Sequence, residues 1–346
     1  MRRKIAVLGT GAIGSSVGAD LTKAGYDVLL LDQWPAHIEA MKAHGLHVTM
    51  PQEKLHVPVR AFHVGELCTL HEQFDIVLLA AKSYDTCWMV ELIKPYLKPD
   101  GMLVSLQNSL NDEWIAPVIG HQRDIPSVVE LSAEVFEPGR VKRNTDYAHT
   151  WFAVGELHGR VTPRIQEVAQ ILGAAGVTDI SSNISGAKWS KLMINCMTMG
   201  IDGILGIYAW ETQRPEIFKW CIGLGKEAHQ VGLGLGYTLE PIAGMSAEDL
   251  LGPADALVEK SMKAILSTIG KEARSCVHQD HLKGRQSEVD YLNGLVVKKG
   301  REAKVPTPLN EAVTLLTKQI EQGKLKPAQS NLTILDKYWS GASLNA

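Results

Sequence analysis

The chain has 346 residues, of which 21% are charged, and a formal net charge of -3. This length suits two domains with large buried cores, and the near balance of charge excludes a strong field for nucleic acid or an anionic membrane. Five scattered cysteines without a C-x-x-C pair favour reduced thiols in a cytoplasmic protein. No apolar run is long enough to cross a bilayer, and a strand that begins at once leads us to expect no signal peptide.

The first segment combines a strand, a glycine turn and a helix. Apolar residues 5–8 predict a buried strand, and the next six residues, Gly9, Thr10, Gly11, Ala12, Ile13 and Gly14, lead into an amphipathic helix. Gly9 makes the turn, Gly11 leaves room for phosphate oxygens, and Gly14 lets the helix pack close to the strand. The pattern predicts a dinucleotide site at the helix N-terminus, and a glycine turn retained only for packing is the alternative.

Asp32 follows the second apolar strand, residues 28–31, where a ribose hydroxyl would bind. A carboxylate there repels a 2′-phosphate by about 4 kcal/mol per unit charge at about 4 Å and an effective dielectric of about 20. Gln33 follows instead of an arginine. The residues therefore favour NAD over NADP, although His37 or Lys4 could weaken this preference.

Two further parallel strands, Ile76–Ala80 and Met102–Leu106, are predicted from apolar runs, with a turn at residues 99–101 between them. Lys82 and Asn108 come just after these strands. Ligands of open α/β sheets bind beyond the carboxyl ends of the strands, so both residues are candidate cofactor contacts. A solvated loop lysine and an asparagine turn are the alternatives.

The pattern changes twice in the remainder of the chain. Residues 128–180 are β-rich and look like added sheet that closes the first domain, whereas the chain from Ser182 onward is helical. We therefore predict an α/β protein with a Rossmann-type doubly wound domain over 1–182 and an all-helical domain over 183–346. The predicted helices of the second domain are Gly186–Leu205, Pro215–Leu233, a long stretch Ala254–Gly284, Glu288–Ala303 and Pro308–Gln322.

The first predicted helix of the second domain carries a polar stripe. Lys191, Asn195 and Thr198 recur at i, i+4 and i+7 and therefore share one face. From spacing alone a solvent-exposed face is favoured over the lining of a cleft.

His278, His281 and Asp280 form a second polar cluster, but one helical turn rarely supplies a complete metal site. We therefore expect no metal.

Several blocks of sequence recur together in one known family. In chain order they are Gly9-x-Gly11-x-x-Gly14, Lys82, Gln107-Asn108, Trp189-x-Lys191-Leu192-x-x-Asn195, Gln279-Asp280-x-x-x-Gly284-Arg285-x-x-Glu288-x-Asp290-x-x-Asn293-Gly294 and Pro306-Thr307-Pro308-Leu309-Asn310. Together they resemble the ketopantoate reductases (2-dehydropantoate 2-reductases) over nearly the whole chain. The resemblance implies a Rossmann domain, a helical domain and an active site in the cleft between them.

The resemblance also implies roles for individual residues. Lys191 matches the family's catalytic lysine and Glu288 its catalytic-site glutamate. Lys82 and Asn108 match cofactor and substrate contacts, and Asn195 matches a substrate ligand. Hydride delivered to a ketone develops negative charge on the oxygen, and Lys191 could stabilise that charge and deliver the proton.

The chain departs from the family at positions near the substrate. Ser109 replaces the glycine of Gln-Asn-Gly, and Asp202 stands where a small residue or threonine is common. Met199 replaces a second asparagine, and Cys276, next to Ser275, replaces a serine that contacts the substrate carboxylate. We therefore expect Met199, Ser275 and Cys276 to line a substrate pocket more apolar than ketopantoate needs, since an unpaired polar group costs about 1–3 kcal/mol.

These observations predict a cytoplasmic oxidoreductase that transfers hydride between a nicotinamide cofactor and a 2-keto or 2-hydroxy acid. NAD is favoured by Asp32, and NADP is possible from the family. Ketopantoate is the family's default substrate. An NAD-dependent dehydrogenase of a bulkier apolar hydroxy compound, as in D-mandelate dehydrogenase, and a non-catalytic dinucleotide sensor are the alternatives. The expected partner is a small-molecule substrate, without nucleic acid or membrane; a homodimer is left open.

Overall fold

The chain divides into two units, Met1–Ser185 and Gly186–Ala346. The computed structural model describes residues 3–242, 245–251 and 253–339. The strands of the described first unit are β1 (Lys4–Leu8), β2 (Asp27–Asp32), β3 (Leu46–Thr49), β4 (Lys54–Val57), β5 (Arg60–His63), β6 (Phe74–Leu79), β7 (Leu97–Ser105), β8 (Asp124–Glu130), β9 (Ala133–Glu137), β10 (Arg140–Arg143), β11 (Trp151–Val154) and β12 (Val177–Ile180). Its helices are α1 (Ala12–Lys23), α2 (Pro35–His44), α3 (Thr86–Ile93), α4 (Asp112–Ile119) and α5 (Pro163–Leu172).

Eight strands form the main sheet in the order β12-β11-β8-β7-β6-β1-β2-β5. Six neighbouring strands of this sheet run parallel, in the order β8-β7-β6-β1-β2-β5. The next strand, β11, pairs antiparallel with β8. The order of the six parallel strands is that of a Rossmann fold, whose chain reverses direction across the sheet between β1 and β6. The α/β fold class with a Rossmann-type first domain is thereby confirmed. Of the strands in the predicted β-rich segment, β11 and β12 extend this sheet beyond β8.

The continuous apolar run of β1 is explained by burial on both faces of the sheet. Ile5 and Val7 pack into one hydrophobic core, while Ala6 and Leu8 pack into a second core on the other face. A strand buried on both sides shows no alternation of apolar and polar residues. Helices on both faces therefore leave the carboxyl edge of the sheet as its polar margin.

A second, smaller sheet was not predicted. It has the order β4-β3-β10-β9 and packs against α1. Arg143 of β10 forms a buried ion pair with Asp20 of α1 at 2.5 Å and donates to the Ala175 carbonyl at 2.9 Å. Because the two strand pairs come from distant parts of the sequence, their short periodic segments did not show that they form one sheet.

The second unit is helical, as predicted. Its helices are α6 (Ile184–Leu205), α7 (Pro215–Gly234), α8 (Ala254–Thr268), α9 (Cys276–Leu282), α10 (Asn293–Ala303), α11 (Pro308–Glu321) and α12 (Leu332–Trp339). Trp189 of α6 is fully buried, and its Nε1 donates to the Ala228 carbonyl of α7 at 3.0 Å. A Cβ on Gly232 would lie 2.2 Å from that nitrogen, so the glycine lets α7 approach α6.

Three predicted segments differ from the structure. The turn at residues 99–101 is a bulge within β7, because Phe74 pairs with Leu97 whereas Ile76 pairs with Met102. The long helix Ala254–Gly284 is two helices, since the backbone becomes extended at Ile269 and α9 has its own N-cap at Ser275.

The predicted helix Glu288–Ala303 begins only at Asn293, after a single 3-10 turn over Val289–Tyr291. None of the helices in the described ranges is long and apolar enough to span a membrane.

Candidate active site

The glycine turn has the geometry that a pyrophosphate site requires. Gly9 has φ +89°, and a Cβ there would lie 2.6 Å from the Ala81 backbone. A Cβ on Gly14 would lie 2.1 Å from the Gly9 carbonyl oxygen. A Cβ on Gly11 would meet nothing within 4 Å, so open space faces this residue at the N-cap of α1. The turn therefore combines a closed side, where helix and strand touch, with an open side that fits phosphate oxygens.

Asp32 ends β2 beside this turn and is buried. Its Oδ1 accepts the Trp34 amide N–H at 2.8 Å. His37 is also buried; its Nδ1 accepts the Gly139 amide N–H at 2.9 Å, and its Nε2 lies 3.1 Å from Ser15 Oγ. Ser15 donates its proton to the Thr10 carbonyl, so His37 Nε2 donates to Ser15 and the ring is neutral. Burial also lowers the pKa of His37.

The other polar side chains next to Asp32 are engaged elsewhere. Gln33 Nε2 donates to Asp85 Oδ2 at 2.8 Å, and Trp88 Nε1 donates to Asp85 Oδ1 at 2.7 Å. Lys4 Nζ pairs with Glu72 at 3.1 Å. Lys4 is thus paired with Glu72, and the carboxylate of Asp85 accepts a hydrogen bond from Gln33, the residue after Asp32.

A hydrogen-bond network joins the loops that follow β6 and β7. Gln107 Nε2 donates to the Ala81 carbonyl and to Thr86 Oγ1, both at 2.9 Å. Asn111 Nδ2 donates to the Asn108 carbonyl at 2.6 Å and to Ser83 Oγ at 3.2 Å. These bonds fix the backbone on either side of Lys82 and Asn108, which are both half-buried. Thr86 and Asn111 are supporting residues that the sequence analysis missed.

Ser109 adopts a backbone conformation that favours glycine. Its φ is +78°, in the left-handed region, and its side chain is buried. Ser109 Oγ has no hydrogen-bond partner among the described residues. The glycine at this position in the family pattern is therefore a backbone requirement, which serine meets at a cost.

The predicted exposure of the polar stripe on α6 is wrong. Lys191 and Thr198 are each 7% exposed and Asn195 is 0% exposed. Helical spacing shows which residues share a face but does not show what covers that face. Burial of all three side chains is what the alternative, the lining of a cleft, requires.

Three of the four predicted substrate contacts lie together in the helical unit. Cys276 Sγ is 3.5 Å from Met199 Sδ, and both side chains are half-buried. Ser275 Oγ lies 3.2 Å from the Met199 carbonyl and accepts the His278 amide N–H at 3.2 Å as the N-cap of α9. Asn195 lies one turn before Met199 on α6.

The predicted catalytic glutamate, Glu288, is buried just before the 3-10 turn. In the nearby polar cluster Asp280 is fully buried and pairs with Arg285 at 2.8 Å, while His281 Nδ1 lies 3.0 Å from the Gly203 carbonyl. The described part of the chain contains no group of three or more His, Cys, Asp or Glu side chains placed to hold a metal ion.

Two family models cover most of the sequence. Residues 5–156 match the model described as ketopantoate reductase PanE/ApbA, and residues 183–321 match the C-terminal model of the same family. The chain belongs to the ketopantoate reductase family. As a member of it, the protein is an oxidoreductase that uses a nicotinamide cofactor.

Individual relatives resemble this ketopantoate reductase family member over their full length. The 2-dehydropantoate 2-reductase of Archaeoglobus fulgidus is 28% identical over 332 residues, covering 93% of this chain and 99% of the relative. The crystal structure of a PanE/ApbA family ketopantoate reductase from Ralstonia eutropha JMP134 is 27% identical with a TM-score of 0.77, covering 93% and 99% of the two chains.

A ternary structure of D-mandelate dehydrogenase with NADH and anilino(oxo)acetate has a TM-score of 0.81. The match covers 92% of this chain and 99% of the dehydrogenase chain, with 22% sequence identity. At this identity the likeness shows only that the two proteins share a fold.

The first prediction uses the two sides of the glycine turn. Gly14→Ala should reduce the free energy of unfolding by about 1–3 kcal/mol and abolish NADH binding, because its Cβ overlaps the Gly9 carbonyl. Gly11→Ala should abolish NADH binding with little change in stability, because its Cβ enters open space. Denaturant unfolding and fluorescence titration with NADH measure the two effects. Equal loss of stability in both variants would contradict this assignment.

The second prediction concerns Ser109. Ser109→Gly should increase the free energy of unfolding by about 1 kcal/mol, since it removes left-handed strain of about 1–2 kcal/mol and a buried unpaired hydroxyl but adds chain entropy to the unfolded state. Ser109→Ala keeps the backbone strain, so its free energy of unfolding should increase less than that of Ser109→Gly. Urea unfolding of the parent protein and of the two variants measures these differences in stability. A Ser109→Gly variant less stable than the parent would show that the backbone is not strained.

Proposed function

We propose that the protein reduces a 2-keto acid to the corresponding 2-hydroxy acid with NADH, and that 2-dehydropantoate is the first substrate to test. The observation that carries the proposal is the buried polar stripe on α6 with Lys191 at its start, in a chain that also has the dinucleotide turn. In a site from which water is excluded, an ammonium group interacts more strongly with charge that develops on a substrate oxygen, which supports a functional role. The named function of the relatives supports the choice of substrate.

The proposed chemistry divides between cofactor and protein. Bound NADH supplies the hydride. Lys191 donates a hydrogen bond to the keto oxygen, stabilises the negative charge that develops there and gives up a proton to it. Glu288 orients Lys191, and Asn195 holds the keto acid by neutral hydrogen bonds.

The residues of the glycine turn fit the cofactor. Open space beside Gly11 would take the pyrophosphate, whose charge the N-terminus of α1 stabilises. Lys82 and Asn108, on the two loops joined by the Gln107 and Asn111 network, would contact the nicotinamide half.

We propose NAD rather than NADP as the cofactor. Asp32 would accept hydrogen bonds from the adenosine ribose, and its charge would repel a 2′-phosphate. Gln33 is held by Asp85, and His37 is neutral, so neither offers the phosphate a cation. NADP, the cofactor the family resemblance allows, is the alternative.

The third prediction tests the proton donor. Lys191→Ala should lower kcat by about 10²–10⁴-fold with the NADH dissociation constant unchanged, because general acid catalysis is lost while the glycine turn is intact. Lys191→Arg keeps the charge but cannot release a proton, so it should not restore kcat. Lys188→Ala, which removes another buried lysine of α6, is the matched control. Turnover of Lys191→Ala at the parental rate would refute the role of Lys191.

The fourth prediction tests the cofactor. The unmodified protein should have a higher kcat/KM for NADH than for NADPH, and Gln33→Arg should shift that ratio towards NADPH by at least about tenfold, since a guanidinium pairs with phosphate. Gln322→Arg adds the same charge on α11's C-cap and serves as the control. Equal or better use of NADPH by the unmodified protein would contradict the assignment from Asp32.

We further propose a cytoplasmic location and leave a homodimer as a hypothesis for light scattering. All five cysteines are free thiols, and reduced cysteines are usual in a reducing compartment.

A further inference from the structure

The polar stripe of α6 continues for one more turn than the sequence analysis recognised. Asp202 follows Lys191, Asn195 and Thr198 at i+11, and it is 0% exposed. Its Oδ1 lies 2.5 Å from Ser275 Oγ, the N-cap of α9. A fully buried carboxyl group therefore connects the end of the stripe to the segment that precedes Cys276.

Packing holds this connection in place. A Cβ on Gly203 would lie 2.6 Å from Val277 Cγ1, so α6 and α9 touch at a glycine next to Asp202. The Ala209 amide N–H donates to the Ala273 carbonyl at 3.0 Å, and His281 Nδ1 lies 3.0 Å from the Gly203 carbonyl. Ser275 is thus held on both sides against the C-terminal end of α6.

The surroundings of Asp202 favour a neutral carboxylic acid. Burial raises its pKa well above the ordinary value, although Ser275 and the Gly203 amide oppose this shift. The buried Cys221 thiol is a titratable group near Asp202. No cationic side chain in the described part of the chain forms an ion pair with Asp202.

A neutral Asp202 completes the hydrogen bonds of Ser275. Ser275 Oγ lies 2.5 Å from Asp202 Oδ1 and 3.2 Å from the Met199 carbonyl, and its single proton can be donated to only one of these oxygens. If Asp202 is the neutral acid, its O–H donates to Ser275 Oγ and the Ser275 proton is left for the Met199 carbonyl. The His278 amide N–H is the second donor to Ser275 Oγ, at 3.2 Å. The hydroxyl then accepts two hydrogen bonds and donates one, and it retains none for a ligand.

Two sulfur-containing side chains are partly accessible at this place. The structure describes every residue of α6 from 187 to 205, and all of them except Met199 are buried. Met199 is half-buried, as is the neighbouring Cys276. Their sulfur atoms are 3.5 Å apart. A thioether and a thiol form weak hydrogen bonds, so together they behave as an apolar surface. We name Met199 and Cys276 the sulfur wall.

We propose that Asp202 is a positioning residue that keeps the Ser275 hydroxyl away from the substrate and presents the sulfur wall instead, so that the enzyme selects 2-keto acids with an apolar group at this wall. This inference rests on the proposed function, because it assumes that the sulfur wall lines the keto acid site.

The experiment compares two keto acids that differ by one hydroxyl group, 2-dehydropantoate and 3,3-dimethyl-2-oxobutanoate. The unmodified enzyme should use the second at least as well as the first, because the sulfur wall offers the hydroxyl no strong partner. A pocket built to bind that hydroxyl would instead reject the deoxy compound by about 10⁴-fold or more. Such a rejection by the unmodified enzyme would overturn the proposal.

Variants of Asp202 then test its role. Asp202→Ala frees the Ser275 hydroxyl, so the ratio of kcat/KM should shift at least tenfold towards 2-dehydropantoate, mostly through KM. Asp202→Asn keeps the shape and an N–H donor and should retain the original ratio. The double variant Asp202→Ala with Ser275→Ala has no hydroxyl to release and should lose the shift. An unchanged ratio in Asp202→Ala, or a shift that persists in the double variant, would overturn the proposal.

Controls separate positioning from general damage. Thr317→Val removes another buried hydroxyl of the helical unit and should leave the ratio unchanged. Thermal unfolding and NADH titration show that each variant is folded, and Asp202→Val, which has no polar group, replaces Asp202→Ala if the alanine variant does not fold.

An infrared difference spectrum between the unmodified enzyme and Asp202→Asn should show a protonated carboxyl band at pH 7. Absence of this band would show that Asp202 is ionised and would overturn the proposal. Failure to turn over either keto acid would overturn the proposed function and the substrate selectivity with it, while the infrared band would still decide the protonation of Asp202.

Discussion

The close approach of α1 to the end of β1 is the constraint on which the first unit depends. The Cβ that Gly14 lacks would lie 2.1 Å from the Gly9 carbonyl oxygen, so only glycine allows helix and strand to meet there. The same contact brings the helix N-terminus to the carboxyl edge of the sheet, next to the open space at Gly11. The small sheet packs against α1, with the buried Arg143 and Asp20 pair joining the two. The proposed phosphate site is thus fixed by packing on both sides of one helix.

The polar margin of the main sheet is organised by side-chain hydrogen bonds to the backbone. Gln107 and Asn111 tie the loops after β6 and β7 to each other. Asp32 at the end of β2 is held by a backbone N–H, and the neutral His37 ring bonds the glycine turn and the Gly139 turn. Since each group bonds within the protein, the margin is preorganised. Thr10 and Ser109 are exceptions among the described residues, since each has a buried hydroxyl without a hydrogen-bond partner, and Ser109 also has a left-handed backbone.

The helical unit places polar groups in a buried row, where each must be paired, protonated or used. Asp202 illustrates the second solution, since burial raises its pKa and a neutral acid can still donate a hydrogen bond. Glu227 illustrates the first, because its carboxylate accepts the amide N–H groups of Leu309 and Asn310 at the start of α11, both at 2.9 Å. In the proposed mechanism Lys191 is used as the proton donor, whatever else it contacts.

The sequence by itself determined the features that depend on local spacing. The glycine turn, the acid after β2, the parallel strands and most helices of the second unit follow from apolar periodicity and from residues with restricted backbone conformations, and the structure confirms the fold class built from them. Lys191, Asn195 and Thr198 were placed on one helix face for the same reason.

Only the tertiary structure decided what covers each face and which distant residues meet. It showed that the stripe of α6 is buried, that β3 and β4 pair with β9 and β10 in one sheet, and that Asp202 reaches Ser275 across 73 positions of sequence. These features follow from long-range packing, which sums weak contacts between segments far apart in the chain and leaves no periodic trace in either segment.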